Sequence, residues 1–362
     1  MEEMEQVIRI FPQRLRGLLL QADTPRFPAE ELRLRVGQPL LMRAKGQEWY
    51  LEEETRQWRA AMGAPSQGAL RVTEADVRDT LEFMSRYSLY AFHEELRQGF
   101  LTISGGHRIG VAGQAVLEGG RVKNILYPSF LNVRIARQVM GCGDGILPWI
   151  YEEGNFCSTL LISPPRCGKT TLLRDLIRQV SDGWQDKEHG QFIGGVTVGV
   201  VDERSELGAC CQGRPQNDLG IRTDVLDACP KAEGIMMLIR SMAPQVVAVD
   251  EIGSIQDLEA IRYGKNCGCQ LLATVHGHSL EDIRKKPVLK EFVQEGVFKR
   301  FVILSSQGGP GRVEMIFDEF GRCLKQEKHK EEKRNEMDRS VPGNVRLYRA
   351  GASLGQAVEA AS

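Results

Sequence analysis

The apolar positions of this chain follow two different rhythms. In the first 140 residues they mostly alternate with polar ones. Residues 31–44, ELRLRVGQPLLMRA, alternate on either side of Gly37-Gln38-Pro39, which predicts two strands and a turn. Thr73 with Asp76 makes a helix-start signature, followed by Val77, Leu81, Phe83 and Met84 at helical spacing. Residues 100–103 and 108–116 flank Gly105-Gly106 as a hairpin, and Gly119-Gly120 predicts another turn. Residues 132–137 alternate apolar and basic positions, as a half-exposed strand does. The mixture predicts a small α+β domain over residues 1–140.

Beyond residue 155 the rhythm changes. Short unbroken apolar runs at 158–162, 196–201, 246–250 and 270–275 alternate with helical patterns at 169–180, 232–242 and 255–265. Unbroken runs suit strands buried on both faces, so residues 156–322 predict a largely parallel sheet covered by helices, an α/β domain. Ser279 opens a further short helix, 288–295 predicts another, and 301–304 and 313–317 read as late strands with an antiparallel edge. The Gly-rich stretch 141–155 is expected to be a hinge between the domains. After Arg322 the pattern collapses into mixed charge and a Gly/Ala/Ser tail. Residues 323–362 are therefore expected to be solvated or disordered, without chemistry.

Composition adds bounds. A chain of 362 residues has room for two cores, and 42% apolar with 26% charged residues is ordinary globular usage. A net charge of −1 speaks against a dedicated nucleic-acid binder. Nine cysteines without a C-x-x-C pair predict reduced thiols in a cytosolic protein. Cys210-Cys211 and Cys267-Gly268-Cys269 lack partners at zinc spacing and are expected to be buried small hydrophobes. The acidic start, MEEMEQVIRI, lacks a signal-peptide core, and no apolar run approaches the ~20 residues of a membrane span.

The chemistry gathers at residues 161–174, LISPPRCGKTTLLR. An apolar strand, a tight loop and an amphipathic helix give the context that a G-x-x-x-x-G-K-[ST] phosphate loop requires. Ser163 stands in place of the first Gly. Gly168 lets backbone approach a phosphate, Lys169 reaches the β/γ-phosphates of ATP, and the Thr170 hydroxyl ligates Mg²⁺. The free N–H groups at the helix start face the same anion. Pro164 and Pro165 have no N–H to offer, so the cradle falls to Arg166, Cys167, Gly168, Lys169 and Thr170, with Thr171 following.

Three later strand tips carry polar groups. Asp250 ends the run Val246–Val249, where α/β sheets bind ligands, and is the expected second Mg²⁺ ligand; Glu251 is placed to orient or deprotonate a water. The competing reading of this acidic pair is a solvated helix cap. Residues 196–201 end in Asp202-Glu203 and then Glu206, so Glu203 and Glu206 compete with Glu251 for the catalytic role. Residues 270–275 end in His276-Gly277-His278; His276 is expected to touch the γ-phosphate, the alternative being an ordinary loop histidine. A strand lying between the phosphate loop and the Asp250 strand in sequence, with Glu251 after Asp250, is similar to the additional-strand, catalytic-glutamate branch of P-loop ATPases. His107 and Arg108, beside Gly105-Gly106, are expected to be turn residues with solvated side chains, the alternative being that they line a site.

The order of phosphate loop, acidic box Asp202–Glu206, Val249-Asp250-Glu251-Ile252-Gly253 and Ala273-Thr274-Val275-His276 resembles the secretion-ATPase superfamily, the ring motors of type II and type IV secretion and of pilus machines. Leu238–Gln245 also resembles that family's approach to the second acidic motif. Five stretches are similar to its stage III sporulation branch in endospore formers: SPPRCGKTTLLRD, VVDERSELGACCQG, PQNDLGIRTDVLDACPKAEG, VVAVDEIGS and the Gly105–Gly110 run. The similarity covers roughly residues 5–325. Two positions depart from the superfamily pattern, Ser163 and Arg204, the latter standing where the acidic box usually carries Pro. The resemblance implies a RecA-like ATPase domain behind a smaller α+β domain, assembled as a homo-oligomer, a hexamer in that family's manner, with nucleotide between the domains. It implies integral membrane proteins of a sporulation channel as partners, a mother-cell cytoplasmic location at the membrane, and no nucleic acid. A charge-stabilising arginine is expected among Arg204, Arg214, Arg222 and Arg240, or Arg108, Arg134 and Arg137 of the first domain. The alternative activity is a nucleic-acid-stimulated P-loop ATPase, for which the chain carries no basic–aromatic stacking pattern.

Overall fold

The structure is a computed structural model of the chain and describes residues 7–23, 28–63, 65–84, 99–305 and 311–326. Its N-terminal part is a seven-stranded antiparallel sheet. The strands are β1 (Ala29–Arg35), β2 (Leu41–Ala44), β3 (Gln47–Leu51), β4 (Trp58–Ala60), β5 (Phe100–Thr102), β6 (Arg108–Glu118) and β7 (Arg121–Arg134), in the order β4-β3-β2-β1-β7-β6-β5. Helices α1 (Gln13–Gln21) and α2 (Glu74–Met84) cover one face, sharing a core with Leu32, Leu34, Ile109, Leu131 and Val133. At the start of α2, Thr73 accepts from the Asp76 N–H at 3.1 Å while Asp76 accepts from the Thr73 N–H at 2.8 Å, the reciprocal cap its sequence predicts. The expected strand 132–137 is the end of β7, whose regular pairing stops at Arg134.

The second part is an eight-stranded sheet. After two short strands, β8 (Tyr151–Glu152) and β9 (Asn155–Phe156), come β10 (Thr159–Ser163) and helix α3 (Lys169–Asp182), then a hairpin of β11 (Gly183–Asp186) and β12 (Gln191–Gly194). They are followed by β13 (Val198–Asp202), β14 (Thr223–Asp227), α4 (Lys231–Met242), β15 (Val246–Val249), α5 (Ile255–Asn266) and β16 (Gln270–His276). The part ends with α6 (Leu280–Lys285), α7 (Pro287–Gln294), β17 (Arg300–Leu304), β18 (Val313–Asp318) and β19 (Cys323–Gln326). The order is β14-β13-β15-β16-β10-β17-β18-β19, parallel from β14 through β17, with β18 antiparallel to β17. The phosphate-loop strand β10 therefore lies at the centre and one strand separates it from the Asp250 strand, the RecA-like arrangement. That interposed strand is β16 and not β13, which sequence order alone put between them; β13 lies beyond β15.

Strand period sorts this domain into two cores. Leu160, Ile162, Val247, Val249, Leu271 and Ala273 face α4, α5 and α7, whereas Leu161, Val246, Ala248 and Leu272 face α3. β15 is thus apolar and buried at every position, as a strand covered on both faces demands.

Two expected boundaries differ. The Gly-rich segment 141–155 is packed in place: Ile146, Leu147 and Ile150 belong to the α3-side core, and the Gly143 N–H donates to buried Asp175 of α3 at 2.8 Å. Cys323–Gln326 adds an edge strand, so the first four residues of the expected tail belong to the sheet; residues 327–362 lie outside the described residues. All nine cysteines are free thiols, and Cys267 is exposed where burial was expected.

Candidate nucleotide site

The carboxyl ends of β10, β13, β15 and β16 open on one crevice. At its floor β10 ends in Ser163, fully buried, whose hydroxyl donates to the Pro164 carbonyl at 2.8 Å. The chain then turns through Arg166 (φ 64°) and Gly168 (φ 82°) into α3. The left-handed conformation at Gly168 is open to glycine without a Cβ penalty, which accounts for Gly at this place in the loop. Arg166 is exposed, Cys167 is buried, and Thr171 is half-buried in the first turn of the helix. Helix α3 is held down by Leu172, Leu173, Leu176, Ile177 and Val180 on its buried stripe.

Lys169, only 7% exposed, sends its ammonium between the two acids. Its Nζ hydrogen-bonds Glu251 Oε1 and lies 3.5 Å from Asp250 Oδ1. Thr170 donates its hydroxyl to Asp250 Oδ2 at 2.8 Å. Thr274, two residues before the tip of β16 and fully buried, donates to Asp250 Oδ1 and accepts the Glu251 N–H at 2.9 Å. Glu251 adopts φ 55°, a left-handed conformation that costs a non-glycine residue roughly 1–2 kcal/mol. Its Oε1 also meets His276 Nε2 at 3.0 Å, and its Oε2 accepts from Arg204 Nη1 at 3.1 Å. Burial pushes the Glu251 carboxyl up, but the hydrogen bond and charge of Lys169, with His276 and Arg204, outweigh this and hold it below the usual carboxylate range.

Lys169, Thr170, Asp250, Glu251 and His276 are thus brought together. Glu203 is not among them, and Glu206 makes no contact with the two acids but lines a cavity that reaches Thr170. Glu203 pairs with Lys231 of α4, and Glu206 faces Arg108 at 3.7 Å. Asp202 is buried and accepts the N–H groups of Glu206, Leu207 and Gly208 at 2.8–2.9 Å, so it shapes the loop after β13. Burial, reinforced by Asp227, raises its carboxyl above the usual range against the pull of those N–H groups. His278 is exposed, with its N–H on Asp282 at 3.2 Å.

The first sheet reaches this crevice through residues read as solvated turn positions. His107 is buried and accepts the Ala136 N–H at 3.1 Å. Arg108 lies over the Phe100 ring and donates to the Arg204 carbonyl. The cause is register: Arg108 pairs across to Arg134, at the end of the sheet that meets the loop after β13. A cavity of about 260 Å³ there is lined by Arg108, Arg134, Arg137, Arg174, Thr170 and Glu206 among others. Of the other expected arginines, Arg222 donates to the Ser181 carbonyl at 2.9 Å, Arg240 lies over Tyr263, and Arg214 is exposed.

Sequence reasoning missed Thr274 and Arg174. A lone hydroxyl in the apolar run 271–275 was the available signal for Thr274. Arg174 donates to the carbonyls of Glu206 (2.7 Å) and Leu207 (3.0 Å), contacts that only the folded loop creates.

The donor set fits a magnesium–nucleotide complex. A hydroxyl and a carboxylate at 2.8 Å form a hard-oxygen pair, and the buried ammonium and the helix N-terminus face the same space. Among the described residues there is no group of three or more His, Cys, Asp or Glu suited to holding a metal ion. No helix among them is long and apolar enough to cross a membrane.

Comparison with known proteins gives the lineage. Stage III sporulation protein AA of Bacillus subtilis (strain 168) is 39% identical over 322 residues, covering 89% of this chain and 97% of that protein. The uncharacterized protein ycf45 of Porphyra purpurea is 29% identical over 165 residues, 45% of this chain and 27% of that one. Among solved structures, the pilus retraction motor PilT with bound ADP aligns with a TM-score of 0.47 at 14% identity, over 76% of this chain and 74% of that one. The ATPase DotB of Legionella pneumophila aligns with a TM-score of 0.45 at 14% identity, over 76% and 71%. The family described as sporulation stage III, protein AA, matches residues 1–324. With that match spanning both sheets and the whole crevice, the chain belongs to the stage III sporulation protein AA family.

Proposed function

We propose that this protein is an ATP-hydrolysing, ring-forming motor that energises a sporulation channel or export complex between mother cell and forespore. The observation that supports it is the convergence of Lys169, Thr170, Asp250 and Glu251 at the carboxyl end of a RecA-like sheet. In this reading the N–H groups of residues 166–170 and the Lys169 ammonium bind the β/γ-phosphates of ATP. Thr170 and Asp250 would hold Mg²⁺, which supplies neutralisation of phosphate charge. Glu251, an ionised carboxylate at neutral pH, orients a water toward the γ-phosphorus and accepts its proton. His276 senses the γ-phosphate beside it. The arginines of the cavity at Thr170 place the first domain to respond to the nucleotide. The working domain map is 1–140, a linking segment 141–155 packed against α3, 156–326 including the edge strand, and the remaining tail. The assembly is a homo-oligomer, with six subunits as the working number, at the mother-cell face of the membrane and held there by integral membrane partners.

The test uses purified full-length protein. Wild type is expected to hydrolyse ATP with Mg²⁺, Lys169→Ala to lose nucleotide binding, and Glu251→Gln to retain bound, unhydrolysed ATP. Normal turnover by Glu251→Gln removes Glu251 from the mechanism. Pull-down from membranes of sporulating cells is expected to recover channel proteins; recovery of nucleic acid alone overturns the motor reading.

A further inference from the structure

The loop after β13 brings one side chain into the crevice that the reaction scheme above leaves without work. Arg204 follows Asp202 and Glu203 and stands where the acidic box of the wider superfamily usually has Pro. Proline could offer no donor there. Arg204 reaches across from the end of β13 to the end of β15 and donates from Nη1 to Glu251 Oε2 at 3.1 Å. The other oxygen, Oε1, is shared by Lys169 Nζ and His276 Nε2. The groups facing the Glu251 carboxylate are therefore Lys169 from α3, Arg204 from the β13 loop and His276 from β16, with Asp250 beside it.

These contacts do not survive catalysis equally. Lys169 has to serve the phosphates, so its hold on Oε1 is the one that a nucleotide competes for. His276 shares that oxygen and is assigned to the γ-phosphate, so Arg204, with Oε2 to itself, remains to fix the carboxylate. Glu251 needs such fixing, because its backbone sits at φ 55° and its position is not the one an unconstrained glutamate would choose. The Arg204 side chain is 66% exposed, so the fold does not depend on its burial. Its backbone is tied instead: the carbonyl of Arg204 accepts from Arg108 Nη2 of the first sheet, and Arg108 Nη1 lies 3.7 Å from Glu206 on the same loop. The same loop is also pinned to the first domain by the Gly105 N–H on Gln216 at 2.9 Å.

We propose that Arg204 is a positioning residue for Glu251, and that Arg108, by holding the Arg204 carbonyl, lets the first domain set whether the crevice is competent to hydrolyse ATP. This rests on the ATPase reading given above. It differs from a charge-stabilising arginine, since Arg204 acts on the carboxylate and not on the phosphates.

The experiment compares steady-state hydrolysis and nucleotide affinity for wild type, Glu251→Gln, Arg204→Met, Arg204→Lys, Arg108→Met and the Arg108→Met/Arg204→Met double variant, all full length. Methionine keeps the methylene stem and drops the charge. Arg204→Met is expected to lower kcat by about 10- to 100-fold, the range for a hydrogen bond to a charged group. Its KM and ATP affinity are expected to stay within about twofold of wild type, because uniform binding is untouched. Arg204→Lys is expected to recover part of the loss. Arg108→Met is expected to lower kcat as Arg204→Met does, an unchanged kcat there overturning the link to Arg108, and the double variant is expected to be no slower than the slower single variant, since both act on one contact. An unchanged kcat in Arg204→Met, or a raised KM with unchanged kcat, overturns the positioning role. Losses that multiply in the double variant overturn the link to Arg108. If wild type itself hydrolyses no ATP, the ATPase reading has failed; if wild type turns over, Glu251→Gln stops and Arg204→Met matches wild type, only the present inference has.

Discussion

Thr274 offers the sharpest test of how the crevice is built. Its hydroxyl is the joint between the two acids: it donates to Asp250 and accepts the Glu251 N–H at 2.9 Å. Thr274→Val swaps that hydroxyl for a methyl group of similar size, so packing is nearly conserved and only the polar joint is lost. Removing a hydrogen bond to a charged acceptor costs about 1.5–3 kcal/mol, and stranding the partner N–H costs about 1–3 kcal/mol. The added apolar burial returns about 0.8 kcal/mol. The two losses share one atom and do not add fully, so the net expected destabilisation is about 2–4 kcal/mol. Thr274→Ser keeps the joint and removes one buried methyl, which costs about 1 kcal/mol. The functional difference should be larger than the stability difference, because Glu251 at φ 55° loses the bond that anchors its backbone. Urea unfolding of the three proteins, with ATP hydrolysis measured on the same preparations, separates these effects. The serine variant is expected near wild type in turnover and the valine variant well below it. Equal stability loss in both variants, or full turnover in Thr274→Val, would refute the idea that the hydroxyl joins Asp250 to Glu251.

Two further outcomes concern the segment between the domains. A Cβ at Gly143 would lie 2.7 Å from Leu176 Cδ2 and 3.3 Å from Asp175 Oδ2, so Gly143→Ala is expected to cost about 1–3 kcal/mol by overpacking, measured by urea unfolding; a loose hinge would accept alanine without loss. Burial pushes the Asp175 carboxyl up, but the Gly143 N–H, Arg178 and the Gly141 backbone outweigh it and leave it below the usual range. A folded-state value below the unfolded one means that Asp175 contributes stability above the unfolded carboxylate range and loses it as pH falls through the lower folded value. Unfolding midpoints followed from neutral pH down through that window should fall for wild type and fall less for Asp175→Asn; parallel curves would show that Asp175 is not a source of the acid sensitivity.

Much of this protein was legible in its residues. Unbroken runs such as Val246–Val249 announced strands buried on both faces, and the helical spacing after Lys169 announced α3, because burial and periodicity are local properties of the chain. That Lys169 and Thr170 open a helix and Asp250 and Glu251 follow a strand was legible for a related reason: a helix N-terminus and a strand tip are each made from a few consecutive residues. The resemblance carried by those stretches pointed to the family that the comparison establishes. Thr274, Arg204 and Arg108 belong to the other kind of knowledge. Each acts on a group far away in sequence: Thr274 on the end of β15, Arg204 on Glu251, Arg108 on the carbonyl of Arg204. Which strand lies between β10 and β15, and where Glu203 and Glu206 point, are matters of strand order and loop path. Those depend on which buried faces pack against each other across the whole domain, a non-local balance that no single stretch of sequence contains.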